Sequence, residues 1–512
     1  MNLTTDPWIP VLWNDGATRA ATLADIFVRG QDIRDLAVRP HERIALMRLF
    51  LCVAHAALDG PGDREEWSAC LERLPAAARD YLQRWQPAFE LFGDSQRFLQ
   101  VANLKATKAD DEEGNSVSKL DMALATGNNP TLFDNSGGDG RAFPPEQLAL
   151  VLLTFQCFSP GGTIGVALWN NEPTLGWKIY PKPAPGQSRH APCLPGSMLH
   201  AFPRGANLLA TIHLNLLPIE AVVSLPGITG LGRPVWEQMP SAPTDKPAIT
   251  NATQTYLGRL VPISRAIRLD DNGRGLLLAN GVDYPSWPEA REASATISVR
   301  TITGQAGRFV LGASLDKAPW RELHALTVKS AFMNDTGGPV ALNNLAGDQP
   351  FDLWVGALVA DKAKVLDTLE GVYHLPATML ASTGQQRYAG GVQLAEQAAW
   401  ALKRAVTCYH AEIGDKLDRP DARNRRDALQ NKAAFQFWTQ AERELPLLLA
   451  AVQSADPLPD ATAWRRSGWG QTVNQAARLA YETACPHETG RQLQAFVKGL
   501  AVLFPNSVNH SN

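Results

Sequence analysis

Residues 146–165 read Glu-Gln-Leu-Ala-Leu-Val-Leu-Leu-Thr-Phe-Gln-Cys-Phe-Ser-Pro-Gly-Gly-Thr-Ile-Gly. From Glu146 to Cys157 the run is almost wholly apolar, which predicts a helix buried on every side. Pro160 and the pair Gly161-Gly162 stop that helix abruptly. The short loop beyond, closing at Gly165, carries almost no side-chain bulk, and its backbone is free to take positive φ. Such a loop lets main chain come very close to another surface. Two readings fit it: a tight turn packed on its own domain, or a glycine loop that enters a nucleic-acid groove.

Upstream, 3–11 holds Pro7 and Pro10 around the pair Trp8-Ile9 and predicts an edge strand, followed by a turn at Asp15-Gly16. Helical spacing predicts helices over 40–58 and 64–85, the second broken or kinked at Pro75. His55 falls on the apolar face of the first and reads as a satisfied interface residue, because no second ligand stands at i±4. Residues 105–118 are polar and acidic and predict a solvated loop. A second polar loop, 127–140, holds Leu132-Phe133 in its middle, a pair that either tucks into the core or docks on a partner.

Downstream, 166–204 is a long stretch rich in Pro, Gly and Trp, and strand-like alternation resumes at 208–217. Gly227 to Gly232 fits neither GxGxxG nor GxxxxGK[ST] and predicts a surface loop. Short strands recur over 256–309, with turns at Asp271-Asn272-Gly273 and Asn280-Gly281. Arg259, Arg265, Arg268 and Arg274 are concentrated there, as on a solvated strand face. Residues 353–366 read as a hairpin with Ala360-Asp361-Lys362-Ala363 at its tip. From about Gly390 the pattern changes to amphipathic helices over 392–413, 424–452, 468–484 and 488–503, which make a four-helix bundle. The fold class is therefore α+β: a large mixed α/β domain over 1–389, then a C-terminal four-helix bundle over 390–512.

The totals limit the function. A chain of 512 residues exceeds the ~250–300 at which single cores stop growing. The apolar run 148–158 is shorter than the ~20 residues that span a bilayer, and no secretory signal opens the chain, so a cytoplasmic protein without membrane association is expected. The six cysteines are dispersed, with no CxxC half-site, and read as buried free thiols. The net charge of −3 argues against wholesale wrapping of nucleic acid, but its distribution is uneven. Residues 1–150 carry 15 Lys/Arg against 22 Asp/Glu, 151–390 carry 19 against 17, and 391–512 carry 14 against 12. A nucleic-acid contact would be local and would come from the middle or the end. No HExxH, GxSxG, P-loop or metal-spaced His/Asp cluster occurs, which favours binding over catalysis.

Taken in order, several of these stretches resemble the CasA family, the large subunit of the type I-E CRISPR surveillance complex Cascade. The resemblance rests on Asn2-Leu3…Asp6-Pro7-Trp8-Ile9-Pro10-Val11, on Arg97-Phe98-Leu99-Gln100 (relatives usually have proline at Arg97), and on Phe133-Asp134-Asn135. It continues through the glycine loop, the 256–269 strand motif, the 353–366 hairpin and the terminal bundle. It implies a non-catalytic subunit at the 5′ handle of the guide RNA, bound to the other Cascade subunits. The subunit would check double-stranded target DNA for a short protospacer-adjacent motif, help open it, and recruit a nuclease–helicase. By position, DNA-binding falls to Gly161, Gly162, Thr163 and Gly165 of the loop, to Arg274 in place of a lysine, and to Asp361-Lys362 in place of an Asn-Gln wedge. Phe133 and Asn135 match the anchor beside the guide. Some relatives carry a two-half CxxC zinc site. This chain has neither half, so no metal or other cofactor is expected. The competing readings are a metal-dependent nuclease of a defence complex and a purely structural docking subunit.

Overall fold

The buried helix expected at 146–157 runs from Pro145 to Phe158, and every residue from Leu148 onward is buried. Pro145 at its first position costs no hydrogen bond, since that N–H has no partner inside a helix. The computed structural model describes residues 1–107, 114–124, 141–159, 164–175, 187–188, 191–288, 291–302, 305–331, 336–361, 364–414, 420–454, 456 and 458–505. The chain forms two compact units. The first comprises Met1–Pro319, Lys329–Ala346 and Phe351–His374, and the second Trp320–Val328, Gly347–Pro350 and Leu375–Asn512.

In the first unit the buried helix shares the core with Pro40–Leu58 and Arg64–Trp85. The latter continues through Pro75 without the expected break. Ile9–Trp13 is a strand, but a central one, flanked by Thr18–Ala21 and Ile33–Leu36. Pro10 costs it a single donor, while Ile9, Val11 and Trp13 bury one face, and that face decides the placement. Residues Leu208–Asn215 form a helix rather than the strand that their alternation suggested. The helix is capped by Asn207, whose Oδ1 accepts the Ala210 N–H at 2.9 Å. It is buried almost all round, which erases the 3.6-residue pattern.

Gln156 ties the buried helix to its neighbours. Its Oε1 accepts the backbone N–H groups of Ser264 and Arg265 at 2.9 and 3.0 Å. Its Nε2 donates to the carbonyls of Leu99 and Arg265, both at 3.0 Å. Leu99 has φ 52°, a costly backbone state for a bulky residue, and Gln156 helps to hold it there. The strand Arg265–Leu269 that follows pairs antiparallel with Gly275–Asn280, from Arg265 opposite Asn280 to Leu269 opposite Leu276. The strands Phe351–Asp361 and Lys364–Leu375 form the hairpin expected at 353–366, with His200–Arg204 as third strand.

Among the described residues the second unit holds four long α-helices, Ser382–Glu412, Pro420–Arg443, Gly468–Ala484 and Gly490–Leu503, and three short ones, Leu323–Leu326, Leu445–Val452 and Ala461–Arg466. The first long helix begins at Ser382, ahead of the change expected at 390, because Gly390 and Gly391 lie inside the helix. Any side chain at Gly391 would collide with Leu448, and one at Gly390 would press on Trp464. These glycines permit close helix packing and are not a break. The segment read as one helix over 424–452 is divided at Glu444, since Pro446 cannot donate within a continuous helix. Trp320 packs edge-on against Trp438 and Trp469, and its carbonyl accepts the Tyr388 hydroxyl at 2.7 Å.

Candidate nucleic-acid interface

Gly161, Gly162 and Thr163 lie outside the described residues, as do Lys362, Phe133 and Asn135. The groups that hold the glycine loop at both ends are described. On the near side, the Arg265 Nε–H donates to the Ser159 hydroxyl at 2.8 Å, and the Cys193 thiol to the Ser159 carbonyl at 3.3 Å. On the far side, the Asn280 Oδ1 accepts the Ile164 N–H at 3.1 Å, and the Asn280 N–H donates to the Gly165 carbonyl at 3.0 Å. Arg265 and Asn280 face each other across the hairpin. One cross-strand pair therefore pins both ends of a loop only a few residues long.

Composition read the arginines of this region as a solvated face, and two of them are not. Arg259 and Arg265 are 7% and 6% exposed. Arg259 lies over the Trp287 ring at 4.5 Å, while burial pulls the Arg265 pKa below its ordinary value. Arg274 does remain exposed. It stands at the other end of the hairpin, in a turn where Gly273 has φ 68° and where the Asp270 and Asn272 carboxyl and amide oxygens accept its N–H at 2.9 and 2.8 Å. Gly273 rests against Leu148, near the start of the buried helix, whereas the glycine loop leaves the end of it. At 1.5 Å per residue, the helix rises about 17 Å from Leu148 to Ser159. Arg97 braces this turn by donating to the Leu269 carbonyl at 2.8 Å and to the Asp271 carboxylate at 2.7 Å. That hydrogen-bonded pairing holds the Asp271 carboxyl below the usual range.

The strand that leads to the hairpin tip is tied, through one short segment, to the end of the buried helix. Asp361 is exposed, and its neighbour Ala360 is clasped by Ser197, whose hydroxyl donates to the Ala360 carbonyl and accepts the Ala360 N–H, both at 2.9 Å. Three residues before Ser197, the Leu194 N–H donates to the Cys157 carbonyl at 2.7 Å, in the last turn of the buried helix. The structure thus brings the base of the glycine loop and the base of the hairpin tip together and leaves Arg274 apart. Ser197, Cys193 and the pair Arg265–Asn280 carried no signal in the sequence, because each acts through a register that only the fold establishes. Among the described residues no group of three or more His, Cys, Asp or Glu could hold a metal ion, and no helix is long and apolar enough to cross a membrane.

A chain of this α+β architecture has counterparts among known proteins. The family model for CRISPR-associated protein Cse1 matches residues 2–480, and the chain belongs to that family. It is 28% identical to CRISPR-associated protein CasA/Cse1 of Thermus thermophilus, over 95% of this chain and 94% of the relative. The solved structure of Thermus thermophilus CasA (Cse1) superposes with a TM-score of 0.72 at 23% identity, over 98% of both chains. A chain of a CRISPR RNA-guided surveillance complex superposes with a TM-score of 0.69 at 18% identity, over 98% of this chain and 99% of that one. These likenesses in structure define the shared fold.

Proposed function

We propose that the chain is the non-catalytic large subunit of a type I-E Cascade complex and recognises the protospacer-adjacent motif in double-stranded DNA. The observation that carries this reading is the fixing of Ser159 and of Ile164–Gly165 by one cross-strand pair. A glycine loop held at both ends would offer backbone rather than side chain to a partner, and backbone is what fits a minor groove ~6 Å wide. The degenerate hydrogen-bonding pattern of that groove would let several motif sequences pass. Reading of the target itself would fall to base pairing with the guide RNA.

In this reading Gly161, Gly162, Thr163 and Gly165 meet the groove, and the Asp361-Lys362 tip parts the strands beside it. Phe133 and Asn135 seat the subunit by the 5′ handle of the guide. The other Cascade subunits hold the assembly, and a nuclease–helicase is recruited to it after opening. Arg274, at the other end of a buried helix that rises about 17 Å, meets a phosphate several base pairs away rather than the motif.

The test is a gel-shift titration of motif-bearing and motif-free duplexes with the complex assembled around a Gly162→Leu chain. A leucine side chain fills space that the groove does not have, so preference for the motif-bearing duplex should disappear while the complex still assembles. Wild-type preference in that complex would sink the reading.

A further inference from the structure

Residues 193–197 form a short strap fixed at both ends, between the end of the buried helix and the 351–375 hairpin. Its first end is tied to the buried helix by Leu194 N–H to the Cys157 carbonyl at 2.7 Å, and by Cys193 to the Ser159 carbonyl. Its second end is tied to the hairpin three times, by Ser197 N–H to the Leu358 carbonyl at 2.7 Å and by the two hydroxyl bonds to Ala360. The Ser197 carbonyl also accepts the Ala313 N–H at 2.7 Å, so the joint is held from a further side. Ser197 has φ 63°, a state that few residues other than glycine, asparagine or aspartate adopt without cost. Gly196 beside it lies so near that an added Cβ would stand 2.9 Å from that of Ala360.

Three residues of chain span at most about 10 Å, which is the rise of about three stacked base pairs at 3.4 Å each. The base of the hairpin tip at Ala360 is therefore held within a few base-pair rises of the end of the buried helix. We infer that Ser197 is a positioning residue that sets the distance between motif reading and strand separation. This rests on the function proposed above for the loop and the tip. The hydroxyl does not touch DNA. It fixes Ala360, and with it the exposed Asp361, at a constant offset from Ser159, so that a seated loop presents the tip to the first base pair beyond the motif. Without the hydroxyl the hairpin would keep its ladder with His200–Arg204, and only the tip would lose its reference point.

The experiment separates seating from opening in the assembled complex. Seating is read as gel-shift retention of a motif-bearing duplex whose remaining sequence does not match the guide. Opening is read as permanganate reactivity of thymines beside the motif in a fully matched duplex. Ser197→Ala and Ser197→Gly should both leave seating unchanged and slow opening about tenfold, the scale of one or two ordinary hydrogen bonds. Gly196→Ala, which pushes on Ala360 without removing a bond, should slow opening too. Wild-type opening in both Ser197 variants overturns the inference. So does normal opening in Ser197→Gly with slow opening in Ser197→Ala, since the backbone state and not the hydroxyl would then matter. Loss of seating together with opening in assembled complexes also overturns it, because Ser197 would then serve the loop itself. Normal seating by a Gly162→Leu complex is a separate outcome, and it defeats the underlying reading of the loop.

Discussion

Arg265 and Asn280 are cross-strand partners, and each holds one end of the same glycine loop, Arg265 through the Ser159 hydroxyl and Asn280 through Ile164 and Gly165. Replacing Asn280 with alanine removes the acceptor for Ile164 N–H and the donor to the Thr174 carbonyl at 3.4 Å, and leaves the backbone bond to Gly165. The chain should lose about 1–2 kcal/mol of stability, the net worth of these two hydrogen bonds. Preference for motif-bearing DNA should fall further than that, because the far end of the loop is loosened. Urea unfolding and gel-shift titration of one preparation compare the two effects, and a loss of stability without loss of preference would contradict the tethering role.

Gln156→Leu should be among the most damaging single changes in the first unit. Four buried backbone groups lose their partner, at about 1–3 kcal/mol for each group left unpaired. Partial repair by neighbours brings the expected cost to about 3–5 kcal/mol, in the range that marks a broken buried network. Denaturant unfolding measures it, and a loss below about 1 kcal/mol would show that the network is redundant.

Arg274→Ala should weaken binding to motif-bearing and motif-free duplexes alike. A phosphate contact contributes about −0.9 to the slope of log affinity against log salt, so the slope should flatten by roughly one. Selective loss on motif-bearing DNA would instead assign Arg274 to a base edge, against its place at the other end of a helix that rises about 17 Å. The family resemblance implies DNA binding by Arg274, and its place at the far turn of the hairpin favours phosphate.

Acid should destabilise the fold well before the carboxylates titrate. Burial lowers the pKa of His55 to about 4 and those of His41 and His200 to about 3. In the unfolded chain each takes up a proton near 6.5, so between about pH 6.5 and 4 the unfolded state binds more protons. These groups contribute their full stability above pH 6.5 and lose it as the pH falls through that window, by about 1.4 kcal/mol per unit for each histidine. Urea unfolding at pH 7.5, 6 and 5 should show the decline. His55→Gln should remove one proton's share of the slope, and constant stability across the range would refute the assignment.

Phe133→Ala should give a folded chain that no longer co-purifies with the other Cascade subunits and guide RNA. The expectation rests on the placement of an aromatic in a Gly/Asn/Asp loop and on its match to the family's anchor. If the isolated variant unfolds instead, Phe133 is a core residue.

The parts of the fold legible in the sequence are those with strong terminal chemistry. Pro40–Leu58 opens on a proline, Arg64–Trp85 on Asp63, whose carboxylate accepts the Glu66 N–H, and Gly468–Ala484 on Ser467, whose hydroxyl accepts the Gly470 N–H. The sequence reading had all three at these bounds. It failed where burial is complete, as at Leu208–Asn215, because apolar period carries no information when no face is wet. It failed again at Gly390 and Gly391, where close packing and helix termination call for the same residue. For the candidate site, the end of the buried helix and the hairpin strands were visible as stop and turn chemistry. Their braces were not: Arg265 and Asn280 meet only once a register is set, and Ser197 gives no hint of Ala360, 163 positions away.

The clamp at Ser159 and Asn280 gives the loop a modular character. Among the described residues, the groups that fix its ends are Ser159 just past the helix, Arg265 and Asn280 of the hairpin, and Cys193 of the strap. The 160–163 segment can therefore drift under selection without endangering the core. A lineage pressed by phage that alter their motifs could retune recognition by exchanging four residues. An engineer could do the same by transplanting the segment from a relative with a different preference, keeping Ser159, Asn280 and Ser197 as the fixed socket.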